Sequence, residues 1–197
     1  MKLIVISSPV NINNEIETII ALFELGLKYF HLRKPNFNYQ EYKQFLALIP
    51  KQYKKYIIIH HHHQLIKEEK INGIHHTSKT EFDSSLSKNI HQSKSFHSLA
   101  EIENNNYPYN YVFLSPIFNS ISKQGYQSKF DFNDIENYFK NKPNKLEIIA
   151  LGGIESKNAV KAIEIGFDGV AILGAIWQEP DFKKRLEICQ TTLTNIR

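Results

Sequence analysis

The chain has 197 residues, of which 42% are hydrophobic and 22% are charged, as is typical of a globular protein. Its net charge of +4 weakly favours anionic ligands. Because the lysines are scattered and the apolar runs are short, we expect neither a nucleic-acid partner nor a membrane span. The single cysteine excludes an internal disulfide, and the N-terminus lacks a signal-peptide pattern, so we expect a cytoplasmic protein.

Apolar runs typical of buried strands alternate along the chain with stretches in which apolar residues repeat at helical spacing. Two of the predicted helices carry clear stop signals, Gly26 after the first and Pro50 after the second. The predicted strands cover residues 3–7, 29–33, 56–61, 73–77, 94–97, 147–151 and 170–173, with a sixth strand that begins at 111. Apolar residues at helical spacing mark a first helix between residues 16 and 23 and a second between residues 42 and 49. The later predicted helices cover residues 64–70, 98–103, 130–140, 156–165 and 182–194.

Eight successive strand-then-helix units predict a single (β/α)₈ TIM barrel, an α/β fold, in one domain over residues 1–197. The alternative architecture is a doubly wound open sheet, in which ligands bind where the strand order reverses. In a barrel, functional side chains lie in the loops at the C-terminal ends of the strands. Those positions therefore contain the candidate site residues.

Polar residues and glycines dominate these strand ends. After the sixth strand, the loop from Ser115 to Gly125 contains several hydroxyls and one cation, Lys123. Gly152 and Gly153 follow the seventh strand and precede a helix. Hydroxyls, backbone N–H groups and an ammonium can together hold an anion. Since carboxylates are absent from the predicted strand ends, the pattern favours a phosphate or diphosphate ligand.

An ordered set of short motifs is similar to those of the thiamine phosphate synthase and thiazole tautomerase superfamily, nearly from end to end. The motifs are HLR at 31–33, SFHSL at 95–99, SPIF at 115–118 followed by SK at 122–123, ALGGI at 150–154 with Asn158, and GFDGVA at 166–171. The resemblance implies a transferase that joins hydroxymethylpyrimidine diphosphate and thiazole phosphate and releases pyrophosphate with Mg²⁺. It also implies phosphorylated small molecules as partners and allows a homodimer.

The same resemblance suggests roles for individual residues. Candidate catalytic residues are Arg33, Lys34, Ser95 and Lys123. Candidate substrate- or phosphate-binding residues are His31, Arg33, Ser122, Lys123, Gly152, Gly153 and Gly174. A guanidinium just beyond a barrel strand is well placed for a phosphate.

Four departures from the family pattern leave the reaction open. His60 and His61 occupy a metal-binding position of the family, and Thr80 falls near a second. Lys34 is adjacent to Arg33, with Pro35 at the usual lysine position, and Pro116 replaces the histidine used by the tautomerase branch. Imidazole is a poor ligand for Mg²⁺, so Mg²⁺ is doubtful here. The alternatives are a thiazole phosphate tautomerase and a non-catalytic phosphate-binding homologue.

The histidines support a further alternative. The run from His60 to His63 is internal, and we expect one or two of its members to face the site while the others are solvated. His31, His60 or His61, His75 and His97 are all predicted near strand ends, where three imidazoles could hold Zn²⁺ or Fe²⁺ as in a hydrolase. If a diphosphate binds instead, protonated imidazoles would have to contribute positive charge.

Overall fold

The computed structural model describes residues 1–77, 80–119, 130–142 and 145–197. Within these ranges, eight parallel strands close into a barrel in chain order, which confirms the predicted (β/α)₈ fold and excludes the open sheet. The strands are β1 Lys2–Ile6, β2 Tyr29–Leu32, β3 Ile57–Ile59, β4 Gly73–His76, β5 His91–Phe96, β6 Tyr111–Leu114, β7 Glu147–Leu151 and β8 Gly169–Ile172.

Helices surround the barrel and follow its strands. They are α1 Glu15–Glu24, α2 Tyr39–Ala47, α3 Leu65–Glu69, α4 Leu99–Glu103, α5 Phe132–Asn141, α6 Ala159–Ile165, α7 Gly174–Trp177 and α8 Phe182–Asn195, with a 3₁₀ helix at Lys51–Tyr56. In the part of the chain that the structure describes, every helix is too short or too polar to span a bilayer.

The predicted boundaries of secondary structure are wrong in several places. Helix α2 begins at Tyr39, before the first apolar residue of the predicted repeat, because Asn38 and Glu41 form a capping box. Helix α6 begins only at Ala159. Strand β3 ends at Ile59 rather than at residue 61, and α7 and the 3₁₀ helix were not predicted.

The strands alternate between two apolar layers. Outward side chains such as Leu3, Val5 and Phe30 pack under the helices, whereas Ile4, Ile6 and other inward side chains fill the barrel interior. Both layers are buried, as expected for a parallel barrel whose outer face is covered by helices.

One side of the barrel interior is polar. Strand β5 begins at His91 rather than at residue 94 as predicted, and Ser93 pairs with His75 of β4. The polar residues at the start of β5 concealed the strand, because alternation of apolar residues is the main sequence signal for strands. This polar side of the interior lies directly below the functional cavity.

Candidate functional site

A cavity of about 370 Å³ opens at the C-terminal ends of the strands. This is where ligand sites of (β/α)₈ barrels are found. Its lining combines apolar side chains from the barrel with polar groups from the loops. The residues are Ile6, Arg33, His60, His75, His76, Thr77, Ser95, His97, Phe113, Ser115, Pro116, Leu151, Gly152, Gly153, Ile154, Ala171, Leu173, Gly174 and Ala175.

The loop after β7 is built from two glycines in the left-handed region. Gly152 has φ +94° and Gly153 has φ +65°. A Cβ on Gly153 would lie 2.5 Å from the carbonyl oxygen of Asn119, so only glycine lets the loops after β6 and β7 pack this closely. Asn158 stabilises the turn, because its side-chain amide donates to the Gly153 carbonyl oxygen at 2.8 Å.

Gly153→Ala is expected to lower the free energy of unfolding by about 1–3 kcal/mol, because the added methyl group overpacks the loops. Urea unfolding would measure this. Gly26→Ala is a matched control: Gly26 also has positive φ, +97°, but its Cβ would meet nothing within 4 Å. An equal loss in both variants would show that backbone strain alone, and not the loop contact, requires Gly153.

On the neighbouring side of the cavity, α7 begins at Gly174. The backbone N–H groups of Ile176 and Trp177 donate to the Leu173 carbonyl, so these two amides are used within the helix. The amides at the start of a helix have no intrahelical acceptor and can bind an anion. The Trp177 indole anchors this segment by donating to the Ile6 carbonyl oxygen at 2.5 Å.

Below the cavity, three imidazoles contact one another. His31 Nδ1 lies 2.9 Å from His60 Nε2, and the rings of His60 and His75 stack with centroids 4.2 Å apart. Hydroxyl groups surround this histidine cluster: Tyr111 Oη lies 2.5 Å from His31 Nε2, and the hydroxyls of Ser93 and Ser95 lie 2.9 Å from the two nitrogens of His75. His60 and His75 line the cavity, whereas His31 lies fully buried.

Burial sets the charge of the cluster. It lowers the pKa of His31, His60 and His75 well below 6.5, and the neighbouring imidazoles add to the effect. Arg33 contributes further to the lowered pKa of His60 and His75. The cluster is therefore neutral at neutral pH. These three residues therefore supply no positive charge in the ligand-free protein, and their protonation by a bound diphosphate stays a prediction.

Arg33 and Lys34 are adjacent in the chain but face different surroundings. Arg33 lines the cavity, and its backbone N–H is held by the Ser7 hydroxyl at 2.8 Å. Lys34 is fully buried and donates to Glu15 at 2.6 Å and to the Val10 carbonyl at 2.8 Å. The Lys34 ammonium therefore lies outside the cavity, whereas the predicted catalytic role would need it inside. We infer instead that Lys34 has a structural role.

The other predicted site residues fall into three groups. The cavity brings together Arg33, His60, Ser95, Gly152, Gly153 and Gly174. His31 lies beneath it, and His61 is half-buried outside the lining. Ser122 and Lys123 lie outside the described residues, so the predicted Lys123 phosphate contact stays a prediction.

Sequence reasoning missed three polar residues beneath the cavity: Ser93, Tyr111 and His91. The Tyr111 hydroxyl lies against His31, and the His91 ring packs on Tyr111 with centroids 4.5 Å apart. Strand alternation puts His91, Ser93 and Ser95 on one face, but residues 91–95 are polar on both faces, so the sequence did not mark them as a strand.

The residues present do not fit a magnesium ion. Mg²⁺ prefers carboxylate and other hard oxygen ligands. Among the described residues, however, no carboxylate lines the cavity. Thr80, which falls near a metal-binding position of the family, is exposed and bonds within its own turn to Thr77. Pro116 lines the cavity where the tautomerase branch has its histidine and offers no side-chain proton donor.

The closed barrel, the cavity at the strand ends and the glycine turn after β7 together define a (β/α)₈ protein. Among the described residues that line its ligand cavity, Arg33 carries a positive charge and none carries a carboxylate. A family model described as thiamine monophosphate synthase matches residues 3–176. The chain belongs to this thiamine monophosphate synthase family.

Individual relatives agree with this assignment. A thiamine phosphate pyrophosphorylase structure from Bacteroides thetaiotaomicron is 31% identical, with a TM-score of 0.86 and coverage of 99% of this chain and 97% of that one. A second pyrophosphorylase structure, from Pyrococcus furiosus, is 18% identical with a TM-score of 0.80 and covers 99% and 95% of the two chains; it supports the fold alone.

Sequence matches to two thiamine-phosphate synthases are shorter. One from Lysinibacillus sphaericus is 36% identical over 78 residues, and one from Anoxybacillus flavithermus is 35% identical over 66 residues. These matches span 40% and 34% of this chain and only 36% and 30% of the relatives' lengths. They place the chain among thiamine-phosphate synthase relatives without fixing its own reaction.

Proposed function

We propose that the protein is a thiamine phosphate synthase-type transferase. It joins hydroxymethylpyrimidine diphosphate to thiazole phosphate and releases pyrophosphate. The observation that carries this proposal is the combination of Arg33, the Gly152–Gly153 turn and the start of α7 around one cavity in a chain of this family. Two phosphorylated substrates need two sets of anion donors, and these groups come from the ends of three different strands, β2, β7 and β8.

Each group has a defined task in this proposal. The glycine turn after β7 and the first amides of α7 hold the phosphate of the thiazole, as loops after β7 and β8 do in many barrels. Arg33 contacts the diphosphate and stabilises the charge that develops on it as the bond to the pyrimidine carbon breaks. The apolar side chains Ile6, Phe113 and Ala171 pack against the rings of the substrates and exclude water.

The proposal assigns no step to Mg²⁺, because the donor set in the described cavity does not fit that ion. The same observation favours a second candidate, a homologue that binds phosphorylated ligands without turnover. Both candidates use the same anion donors. They differ in whether charge on the leaving pyrophosphate is stabilised well enough for the reaction to proceed.

Product formation distinguishes the two candidates. The purified chain would be incubated with both substrates, and thiamine phosphate and pyrophosphate would be quantified in EDTA and with added Mg²⁺, Mn²⁺ or Zn²⁺. Equal release of both products supports the transferase. Calorimetric binding of either substrate without any product in every metal condition would support the binding homologue, and absence of both would overturn the two candidates together.

Arg33→Ala is expected to weaken pyrophosphate binding by about 10–100-fold, the scale of a charge-assisted hydrogen bond. Arg33→Lys should recover only part of this loss, since lysine cannot form a bidentate contact. Isothermal titration calorimetry would measure both. Lys183→Ala, which removes an exposed positive charge from α8, is the control and should leave affinity unchanged. A similar loss in the control would mean that net charge, and not a contact at Arg33, attracts the ligand.

A further inference from the structure

The histidine cluster of His31, His60 and His75 has the composition of a metal site. His31 on β2, His60 just after β3 and His75 on β4 each offer one ring nitrogen, and these three atoms all lie within 4.8 Å of one another. We propose that the three imidazoles form a binding site for a divalent transition-metal ion, with Zn²⁺ as the representative ion. This inference is separate from the transferase proposal, because it concerns metal binding in the absence of substrate.

The nitrogens are close to the geometry that such an ion requires. Zinc binds imidazole at about 2.0–2.1 Å, which places two nitrogens of a tetrahedral site about 3.3 Å apart. His31 Nδ1 and His60 Nε2 are already 2.9 Å apart. The widest spacing is at most 4.8 Å and must shorten by up to about 1.5 Å to meet this geometry. His60 and His75 border the open cavity, so their rings have room to rotate toward one another.

Hydroxyl groups are placed to orient the ligands. If His31 binds through Nδ1, its Nε2–H donates to the Tyr111 oxygen at 2.5 Å. Whichever nitrogen of His75 binds, the opposite nitrogen keeps a serine hydroxyl, Ser93 or Ser95, at 2.9 Å. Hydrogen bonds of this kind fix the tautomer and ring orientation of metal-binding histidines.

The donor chemistry selects the type of ion. Three imidazoles suit Zn²⁺, Co²⁺ and Ni²⁺, whereas Mg²⁺ and Ca²⁺ need oxygen ligands. Burial keeps the pKa of each ring low, so the nitrogen lone pairs are free for a metal at neutral pH. Three protein ligands leave a fourth position open on the cavity side, where water or an oxygen of an anionic ligand would bind.

The proposed site has two alternatives: a cluster that binds no metal, and metal binding elsewhere in the run His60–His63. In a metal-free cluster, the three rings form only a hydrogen-bonded network. In metal binding elsewhere in the run, the ion binds the last three members, His61 to His63, which are not fully buried. His62 lies 3.0 Å from the Phe37 carbonyl, outside the cluster. The chain therefore offers a matched control within one short segment, because only the first member of the run belongs to the proposed site.

The test is a Co²⁺ titration of the full chain after it has been stripped with EDTA and dialysed. We expect one equivalent to produce the visible absorption of cobalt in a tetrahedral site, and Zn²⁺ to displace it. His60→Gln and His75→Gln should each abolish the band. The triple variant His61→Gln/His62→Gln/His63→Gln should retain it. Ser93→Ala and Ser95→Ala each remove one hydroxyl partner of His75, and the variant that loses the partner of the nitrogen that does not bind metal should weaken Co²⁺ binding by about 10–100-fold.

The outcomes decide the proposal in either direction. No band with the wild-type chain, or a band that survives in His75→Gln but disappears in the triple variant, would overturn it. Circular dichroism melts would establish that each variant is folded. If His75→Gln does not fold, the serine variants still decide. The site is supported if Ser93→Ala or Ser95→Ala weakens Co²⁺ binding while the triple variant binds normally, and it is rejected if both serine variants bind normally.

Discussion

Replacing Lys34 with methionine is expected to lower the free energy of unfolding by about 3–5 kcal/mol, because it leaves Glu15 buried without its partner. The Lys34 ammonium is fully buried between Glu15, the Val10 carbonyl and the rings of Phe37 and Phe45. Burial lowers the pKa of Lys34 and raises that of Glu15, and each residue opposes the shift of the other. Urea unfolding at neutral pH would measure the loss.

A double-mutant cycle identifies its cause. Glu15→Gln removes the opposite charge, so the variant Lys34→Met/Glu15→Gln should recover part of the stability that Lys34→Met loses. Product formation provides the contrasting result. If Lys34 acts in catalysis, as the family resemblance implied, Lys34→Met would lose activity while its unfolding curve stays that of the wild type, and the structural role would be rejected.

Much of the fold follows from local patterns in the sequence. Apolar runs such as residues 147–151 and helical repeats such as residues 182–194 are explicit signals, and the structure has an element at both places. The N-terminal half of β5 gave no such signal, because His91 and Ser93 face a polar barrel interior. Whether a polar residue faces solvent or a buried partner depends on the register of neighbouring strands, which the local pattern does not contain.

The sequence predicted where in the fold the site lies, but not how its side chains are arranged. Position after a strand was enough to bring Arg33, Gly152 and Gly174 to one cavity. The histidines show the limit of this reasoning: they were expected on the rim, but His31 lies beneath it. Its neighbours in sequence, Phe30 and Leu32, face outward, so strand alternation directs the His31 ring into the barrel interior. Lys34 shows the same limit, since its burial depends on a helix that lies 19 residues earlier in the chain.

Acid is expected to destabilise the metal-free protein well before its carboxylates titrate. The pKa of His91 is lowered from 6.5 to about 4 by burial, with a smaller contribution from Lys2. Burial also lowers the pKa of His31, His60 and His75 well below 6.5. As pH falls below 6.5, the unfolded chain binds protons that the folded chain does not. The free energy of unfolding is therefore highest above pH 6.5 and decreases as pH falls. The contribution of His91 to this decrease ends at about pH 4.

The size of this effect makes it measurable. A single histidine with the shift of His91 removes about 3 kcal/mol across that range, and each buried imidazole contributes a slope of about 1.4 kcal/mol per pH unit. Urea unfolding in EDTA at pH 7.5, 6.0, 5.0 and 4.0 should therefore give a steeper decline than one group can produce. His91→Gln should flatten the profile by about one group's slope. Lys88→Gln, which removes an exposed positive charge from another part of the chain, should leave the slope unchanged. A wild-type profile that is flat between pH 6.5 and 5 would mean that water or structural opening reaches these rings, and that the polar side of the barrel interior is not closed in solution.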